Sequence, residues 1–295
     1  MREKILEALK SQLEKMVEEG TEIEIHEAKK NNGIELLGVC LKKPGQSIFP
    51  TIYIDREINE VLNGRMTVHR LAEYVVKENR KHQRKKVPGL EGFSKEMILG
   101  NVKYQLINKE MNKDKMADVP HKEFLDLVAV YRVEVKISRA EKGSFLLNNQ
   151  IIKTYGITYE ELDAAAKKNT GSAGFSVRSM GEVMAEMGDM SVEDIEMVEA
   201  GGPGIFVMTN ADKINGAVIM LYKEYFEKLA NRLNEDLFII PSSIHELLAL
   251  PADTMSEFYV RTMVKEVNDT EVAIDEILSY NVYRYRRESG ELEVA

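Results

Sequence analysis

The chain has 295 residues, of which 44% are hydrophobic and 30% are charged, so it can fill a core and is not globally disordered. Its net charge of −9 repels phosphate backbones, which argues against nucleic acid as a default partner. The length is generous for one domain and comfortable for two.

The N-terminus and the cysteine content bear on where the protein works. The first residues are charged and helically periodic, without the apolar core of a secretion signal. No segment has the ~18 consecutive apolar residues that cross a bilayer. Cys40 is the single cysteine, so neither an internal disulfide nor a zinc-type cysteine spacing can form. We expect a soluble protein of the reducing cytoplasm.

Residues 1–90 predict an N-terminal α+β lobe in which helices flank a hairpin. Apolar residues at three- and four-residue steps predict a first helix that ends at Gly20. Apolar strands over 21–26 and 34–41 are joined by Lys-Lys-Asn-Asn-Gly, a sequence typical of a tight turn. The remaining elements are a short strand over 50–54 and two helices, capped by Asp55 and by Thr67.

A change in composition marks the end of this lobe. The basic run from Arg80 to Lys86 leads directly into Pro88 and Gly89, a pattern typical of an exposed corner or a linker. We therefore place a boundary near residue 90, with a second lobe over 91–295.

The second lobe predicts a mixed sheet with packed helices, so the whole chain falls in the α+β class. Two apolar runs, 205–208 and 217–221, bracket a polar loop and predict a hairpin. A helix over 222–234 leads to a strand over 237–240, an order that favours 217–221 and 237–240 as parallel neighbours. The remaining elements are a helix over 94–110, a strand in the second half of 124–137 that pairs with 144–147, a short helix after Asn149, a helix capped by Thr158 and Glu161, a helix over 254–267 and a closing strand over 281–286.

Several phrases along nearly the whole chain carry a resemblance to a family. They are Phe49-Pro-Thr-Ile-Tyr53, Leu125-Asp-Leu-Val-Ala-Val-Tyr131, Gly156-Ile157, Met208-Thr-Asn210, Gly216-Ala217, Pro241-Ser-Ser-Ile-His-Glu246, Val267-Asn268, and Leu278-Ser279 with Tyr283. These phrases resemble an uncharacterised bacterial domain-of-unknown-function family of stand-alone proteins of this length. The resemblance implies no activity and no catalytic residue, because that family has no established biochemical role.

The phrase Pro-Ser-Ser-Ile-His-Glu is the most suggestive site, since it follows a predicted core strand. His245 would act as a base, with Ser242 or Ser243 as the nucleophile. A carboxylate partner would be Glu246 or, from elsewhere in the fold, Asp126. The structural alternative is that Ser243 caps a helical turn or the start of a strand, with Glu246, three residues later, as its capping-box partner. The capping box explains the spacing without any reaction.

Asp126 is a second candidate because it lies between Leu125 and Leu127 in an apolar strand. An unpaired carboxylate there would lose its hydration at a high cost. We expect Asp126 to be paired structurally, with Arg132, Lys136 or backbone amides. The functional alternative makes it an acid, a base or a metal ligand.

Other patterns argue against metals and cofactors. The five histidines are scattered and none forms a His-x-x-x-His pair, so no metal site and no cofactor are predicted. The run from Gly201 to Gly204 lacks the Gly-Lys-Ser/Thr ending of a phosphate loop and is interpreted as a turn. The segment from Gly171 to Ser176 is interpreted as a flexible loop, since Gly-x-Ser-x-Gly is absent.

Two functional hypotheses follow, and a third, weaker one involves only a short basic run. The first is a non-enzymatic interaction or regulatory protein whose partner binds the segment from Met180 to Glu199. This segment contains five methionines, whose side chains adapt to irregular apolar surfaces. The alternative interpretation of these methionines is core packing of one or two short helices. The second is a hydrolase-like enzyme with the site around His245. The third is nucleic-acid contact through Arg80 to Lys86, although cations at a helix C-terminus are commonly solvated.

Overall fold

Helices and antiparallel sheets make up the fold, which confirms the predicted α+β class. The computed structural model describes residues 1–44, 49–83, 93–136, 142–188 and 204–295. The chain forms two compact units: a first unit of Met1–Ser94 with Val135–Gly143, and a second unit of Lys95–Glu134 with Ser144–Ala295. The boundary predicted near residue 90 lies outside the described residues and stays a prediction.

The first unit packs helices against a small antiparallel sheet. Its elements are α1 (Arg2–Glu14), β1 (Glu22–Lys29), β2 (Glu35–Lys42), β3 (Thr51–Tyr53), α2 (Asp55–Leu62) and α3 (Val68–Gln83). β1 and β2 form the predicted hairpin, and Asn32 and Gly33 reverse the chain with left-handed φ angles of +55° and +73°. Leu9, Val39 and Val75 are fully buried in one apolar cluster, which accounts for the helical spacing of the apolar residues.

Two local predictions about this unit need correction. The first helix ends at Glu14 rather than at Gly20, which lies in the turn before β1. Asp55 does not cap α2: it is the first helical residue, and its Oδ2 accepts a hydrogen bond from the backbone N–H of Leu37 at 2.8 Å. Thr67 does cap α3, since its Oγ1 accepts the N–H of Arg70 at 3.2 Å.

The second unit contains two antiparallel sheets and their helices. Its elements are α4 (Lys95–Asn101), β4 (Val102–Asn108), β5 (His121–Phe124), β6 (Leu127–Lys136), β7 (Lys142–Leu146), α5 (Asn149–Thr154), α6 (Tyr159–Ser172), β8 (Phe175–Ser179), α7 (Met180–Met187), β9 (Phe206–Asn210), α8 (Lys223–Leu233), β10 (Leu237–Pro241), β11 (Leu247–Pro251), α9 (Glu257–Thr270), β12 (Tyr283–Arg286) and β13 (Glu291–Val294). One sheet has the order β13-β12-β10-β11-β9-β8, and the other has β4-β6-β5 with β7 also on β6.

The predicted parallel pair and the mixed sheet are wrong. The segment 217–221 lies in a 3-10 helix, Gly216–Leu221, and β10 pairs antiparallel with β11 and β12. A short apolar run cannot be assigned to strand or buried helix by periodicity alone, and Ala217 to Met220 are buried on every side.

Two further predictions in this unit are partly wrong. The helix predicted over 94–110 is α4 followed by β4, in which every second residue, such as Tyr104, faces the same side. The loop predicted from Gly171 to Ser176 contains the end of α6 and the start of β8. The predicted capping box of α6 is confirmed, because the side chains of Thr158 and Glu161 each accept the other's backbone N–H.

Some predictions fall on residues that the structure leaves undescribed. These are the turn at 201–203, the end of the basic run at 84–86 and the second half of the methionine segment at 189–199. In the ranges that are described, no helix combines the length and the apolar character that a bilayer crossing requires.

Candidate functional site

The predicted site residues 242–246 form the loop of the β10–β11 hairpin. The hydroxyl of Ser242 donates to Glu246 Oε1 at 3.4 Å, and Ser243 Oγ accepts the backbone N–H of His245 at 3.0 Å. The capping box itself does not form, because Ser243 Oγ accepts the N–H of His245, and β11 begins at Leu247, which is the strand start that the structural alternative allowed. Antiparallel pairing of Pro241 with Leu247 closes this loop.

The His245 ring has two partners, and neither is a serine. Its Nδ1 accepts the backbone N–H of Asn215 at 3.0 Å, and its Nε2 lies 3.5 Å from Glu276 Oε1. A backbone N–H can only donate, so Nδ1 supplies the lone pair and the neutral ring carries its proton on Nε2. In a serine triad the base accepts a proton on Nε2 while Nδ1–H is held by a carboxylate, which is the opposite tautomer.

The loops around His245 are closely packed. Thr209 donates from Oγ1 to the carbonyl oxygen of His245 at 2.8 Å. A Cβ atom at Gly216 would lie 2.1 Å from Thr209 Oγ1 and 2.5 Å from that same carbonyl oxygen. Only glycine fits such a close approach, so these contacts fix the loop conformation.

Asp126 lies in the turn between β5 and β6 rather than within an apolar strand. Its Oδ1 accepts from the Tyr283 hydroxyl at 2.7 Å, and its Oδ2 accepts from Ser279 Oγ at 2.7 Å and from Asn281 Nδ2 at 2.9 Å. Burial raises the pKa of Tyr283, and the Asp126 charge raises it further, so the phenol remains a donor.

The observed partners of Asp126 differ from the expected ones, which were Arg132, Lys136 or backbone amides. Arg132 instead donates from Nε to Ser144 Oγ at 3.1 Å, and the Lys136 side chain lies outside the described residues. No described contact joins Asp126 to His245. The structure therefore brings Ser242 together with Glu246 and His245 with Glu276, and it places Asp126 in a separate cluster.

A second half-buried carboxylate, Asp163, was missed by sequence reasoning. Its Oδ1 accepts from the hydroxyls of Tyr104 at 2.6 Å and Tyr131 at 2.9 Å, and its Oδ2 lies 3.1 Å from Lys122 Nζ. Burial alone would raise the pKa of Asp163, but the hydrogen bonds from Tyr104, Lys122 and Tyr131 lower it below the usual value. Tyr104 and Tyr131 are directly paired on β4 and β6, so only the recognition of β4 could have revealed this cluster.

The first unit holds a cavity that the sequence predictions also missed. In the described part of the chain, three buried side-chain atoms lack a hydrogen-bond partner: Thr21 Oγ1, His26 Nδ1 and Asn79 Oδ1. Thr21 and Asn79 line one cavity of about 140 Å³, called here the inner chamber, with Glu18, Lys43 and Arg80. Asn79 is only 4% exposed, so its side chain lies between the helix and the chamber rather than in solvent.

A larger cavity adjoins the inner chamber through shared walls. This outer groove has a volume of about 710 Å³ and shares Met16, Val76 and Arg80 with the chamber. Its remaining lining is mainly charged and comes from α3, with Lys77, Lys81, His69 and Glu73. Asn79 continues the spacing of the buried residues Ala72 and Val75, and a polar residue on a buried helical stripe was the available signal.

Metal ligands do not converge in the described ranges, where no group of three or more His, Cys, Asp or Glu side chains could hold an ion.

A family model described as "Family of unknown function (DUF5688)" matches residues 2–287, which confirms the resemblance to a domain-of-unknown-function family. No curated protein and no solved structure matches the chain.

Proposed function

We propose that this chain, which belongs to the DUF5688 family of unknown function, is a non-enzymatic interaction or regulatory protein. In this proposal it binds a small molecule in its first unit. One observation carries this proposal: Thr21 and Asn79, whose buried Oγ1 and Oδ1 atoms have no hydrogen-bond partner, both belong to the wall of this chamber. A buried polar atom without a partner costs about 1–3 kcal/mol. A ligand that supplies the missing hydrogen bonds would offset that cost.

The chamber is larger than a single ordered water requires. A water needs about 10–15 Å³ of such volume, whereas the chamber has about 140 Å³ and shares lining residues with a groove of about 710 Å³. Concave sites of a few hundred Å³ with few polar groups and apolar walls are typical of small-molecule binding. Met16 and Val76 supply the apolar wall here.

The experiment tests whether the chamber retains a small molecule. The purified protein is incubated with a small-molecule extract of the native cell, passed through gel filtration and weighed by native mass spectrometry. We expect an adduct on the wild type and none on Asn79→Leu, which removes the amide and fills the chamber. Asn59→Leu is the matched control because Asn59 is an exposed helical residue of the same unit. A wild type without adduct, or an adduct that Asn79→Leu retains, contradicts the proposal.

A protein partner at the segment from Met180 to Glu199 is the second proposal. Its described part, α7, is anchored by half-buried Val183 and Met184, while Met187 is 69% exposed. An exposed methionine offers an adaptable apolar contact. Met187→Glu should abolish recovery of a stoichiometric partner in affinity purification, whereas Phe258→Glu, on the 81% exposed side chain of α9, should not. Loss with Phe258→Glu alone would move the partner to α9.

The alternative function is a hydrolase-like enzyme using His245 with Ser242 or Ser243, aided by Asp126 or Glu246. It has less support because Nδ1 of His245 accepts a backbone N–H. An ester-hydrolysis assay on the wild type and on His245→Asn tests it, and a rate lost in the variant would favour the enzyme.

We propose a location in the cytoplasm because Cys40 has a buried free thiol, which a reducing compartment preserves.

A further inference from the structure

We infer that the ligand of this cavity is a small phosphorylated polyol or sugar, with its hydroxyls in the inner chamber and its phosphate in the outer groove. This inference rests on the proposed function and names the chemical class of the ligand. It depends on the chemistry of the two unpartnered atoms, on the charges of α3 and on the position of Glu18.

The inner chamber requires a group that both donates and accepts hydrogen bonds. Asn79 Oδ1 is an acceptor without a donor, and the Thr21 hydroxyl can donate or accept. An ionised phosphate or carboxylate has no proton to donate to Asn79 Oδ1, whereas a hydroxyl satisfies both atoms. The chamber, with about 140 Å³, has room for several hydroxyl-sized groups.

The charge of Glu18 determines which end of the ligand enters the chamber. Lys43 Nζ lies 2.7 Å from Glu18 Oε1, and this hydrogen bond lowers the pKa of Glu18, so the carboxylate is ionised at neutral pH. The pair neutralises Lys43 and leaves no free cation from it. The Glu18 carboxylate repels an anionic group on its side of the chamber, and a neutral polyol end is favoured beside Thr21 and Asn79, while Arg80 supplies positive charge on the side shared with the groove.

The lining of the outer groove has more cations than carboxylates. Lys77, Arg80 and Lys81 are spaced at three and four residues on α3 and line the groove together with one carboxylate, Glu73. Lys81 is paired with Glu78 at 2.6 Å, and the charge of Arg80 helps to lower the pKa of Glu18. The planar fork of arginine matches a phosphate, and a second cation suits its double negative charge.

The walls between the two cavities fit the body of such a ligand. Met16 and Val76 line both the chamber and the groove, and they present apolar surface to the C–H groups of a sugar or polyol. Arg80 also lines both cavities, so a phosphate beside Arg80 would stand at the mouth of the chamber. The arrangement thus orders the ligand as hydroxyls, carbon skeleton and phosphate.

Isothermal titration calorimetry on the full chain tests this order with complete ligands and with each half of the ligand alone. The probes are glycerol 3-phosphate, ribose 5-phosphate and glucose 6-phosphate, beside glucose and inorganic phosphate as half-ligands. We expect at least one sugar or polyol phosphate to bind about tenfold or more tightly than either half-ligand. Phosphorylated probes that all bind no more tightly than inorganic phosphate would overturn the inference.

Three variants assign the two ends. Thr21→Val removes one hydroxyl at constant volume and should weaken the binding of the sugar phosphate by about tenfold, but not the binding of inorganic phosphate. Arg80→Gln should weaken the binding of both ligands by about tenfold or more. Arg70→Gln is the matched control, because Arg70 is an exposed arginine of α3 that lines neither cavity, and it should change the binding of neither probe. Equal losses of binding from Arg80→Gln and Arg70→Gln, together with steeply salt-dependent binding of a single-stranded oligonucleotide, would indicate a nucleic-acid surface and overturn the inference.

The two proposals fail in different ways. If the extract leaves an adduct that depends on Asn79 but no phosphorylated probe binds, the ligand class is wrong and the binding function stands. If no small molecule is retained and Thr21→Val merely raises the melting temperature, the chamber holds water and both proposals are wrong.

Discussion

Two clusters of buried polar side chains in this protein differ in whether the chain completes their hydrogen bonds. In the second unit, both oxygens of Asp126 receive donors, from Tyr283, Ser279 and Asn281. In the first unit, Thr21 Oγ1 and Asn79 Oδ1 have no partner among the described residues. A satisfied cluster stabilises the fold, whereas an unsatisfied cluster beside a cavity stores a cost that a ligand can remove. We therefore predict a structural role for the Asp126 cluster, and we propose the chamber as the better candidate for binding.

The largest expected effect is on the satisfied cluster. Asp126→Ala should lower the free energy of unfolding by about 2–4 kcal/mol, because three donors lose their acceptor. Urea denaturation of the variant beside the wild type measures it. Asp253→Ala is the control, since Asp253 is exposed and the change there should be small. A free energy of unfolding for Asp126→Ala equal to that of the wild type would refute the structural role.

Close packing around His245 gives the next largest effect. Gly216→Ala should destabilise the protein by about 1–3 kcal/mol, because the new Cβ would meet the backbone oxygen of His245 at 2.5 Å. Gly100→Ala is the matched control: nothing lies within 4 Å of its Cβ position. Since Gly100 is helical, alanine there should leave stability unchanged or raise it by about 0.5–1 kcal/mol. Thermal melts that rank the two variants alike would contradict this packing.

A smaller, pH-dependent effect is expected at Asp163. Its pKa in the folded protein is lowered from 3.8, so its stabilisation is present above that value and is lost as the pH falls through the folded pKa. Asp163→Asn should lower stability by about 1 kcal/mol at neutral pH, because the ion pair with Lys122 is lost. Denaturation curves from pH 7 to pH 2 should show the wild type and the variant converging below about pH 4. A difference that stays constant would contradict the assigned ionisation.

The smallest effect distinguishes the two kinds of cluster most directly. Thr21→Val removes an unpartnered hydroxyl and should leave stability unchanged or raise it by up to about 1 kcal/mol. Thr209→Val makes the same change where the hydroxyl donates to the His245 carbonyl, and it should lower stability by about 1 kcal/mol. Chemical denaturation of the two variants gives the comparison. The same sign of change in both would remove the contrast between the clusters.

The two candidate sites differ in how far the sequence could reveal them. Ser242 and Glu246 are neighbours in sequence, and they do contact each other in the β10–β11 loop. Asp126 was recognised as a carboxylate that needed partners, but its partners lie more than 150 residues later in the chain. The inner chamber was not predicted, because it combines residues of the connection between α1 and β1, of the end of β2 and of α3, which no local pattern relates.

The sequence by itself determined the features that depend on neighbouring residues: the Asn32–Gly33 turn, the capping box of Thr158 and Glu161, the Thr67 cap and the α+β class. These follow from backbone preferences and short-range hydrogen bonds. Only the tertiary structure decided that 217–221 is a helical turn, that β4 is a strand paired with β6, and which polar atoms remain without partners. Burial and pairing are set by contacts between residues distant in sequence, and their free energies outweigh local propensity.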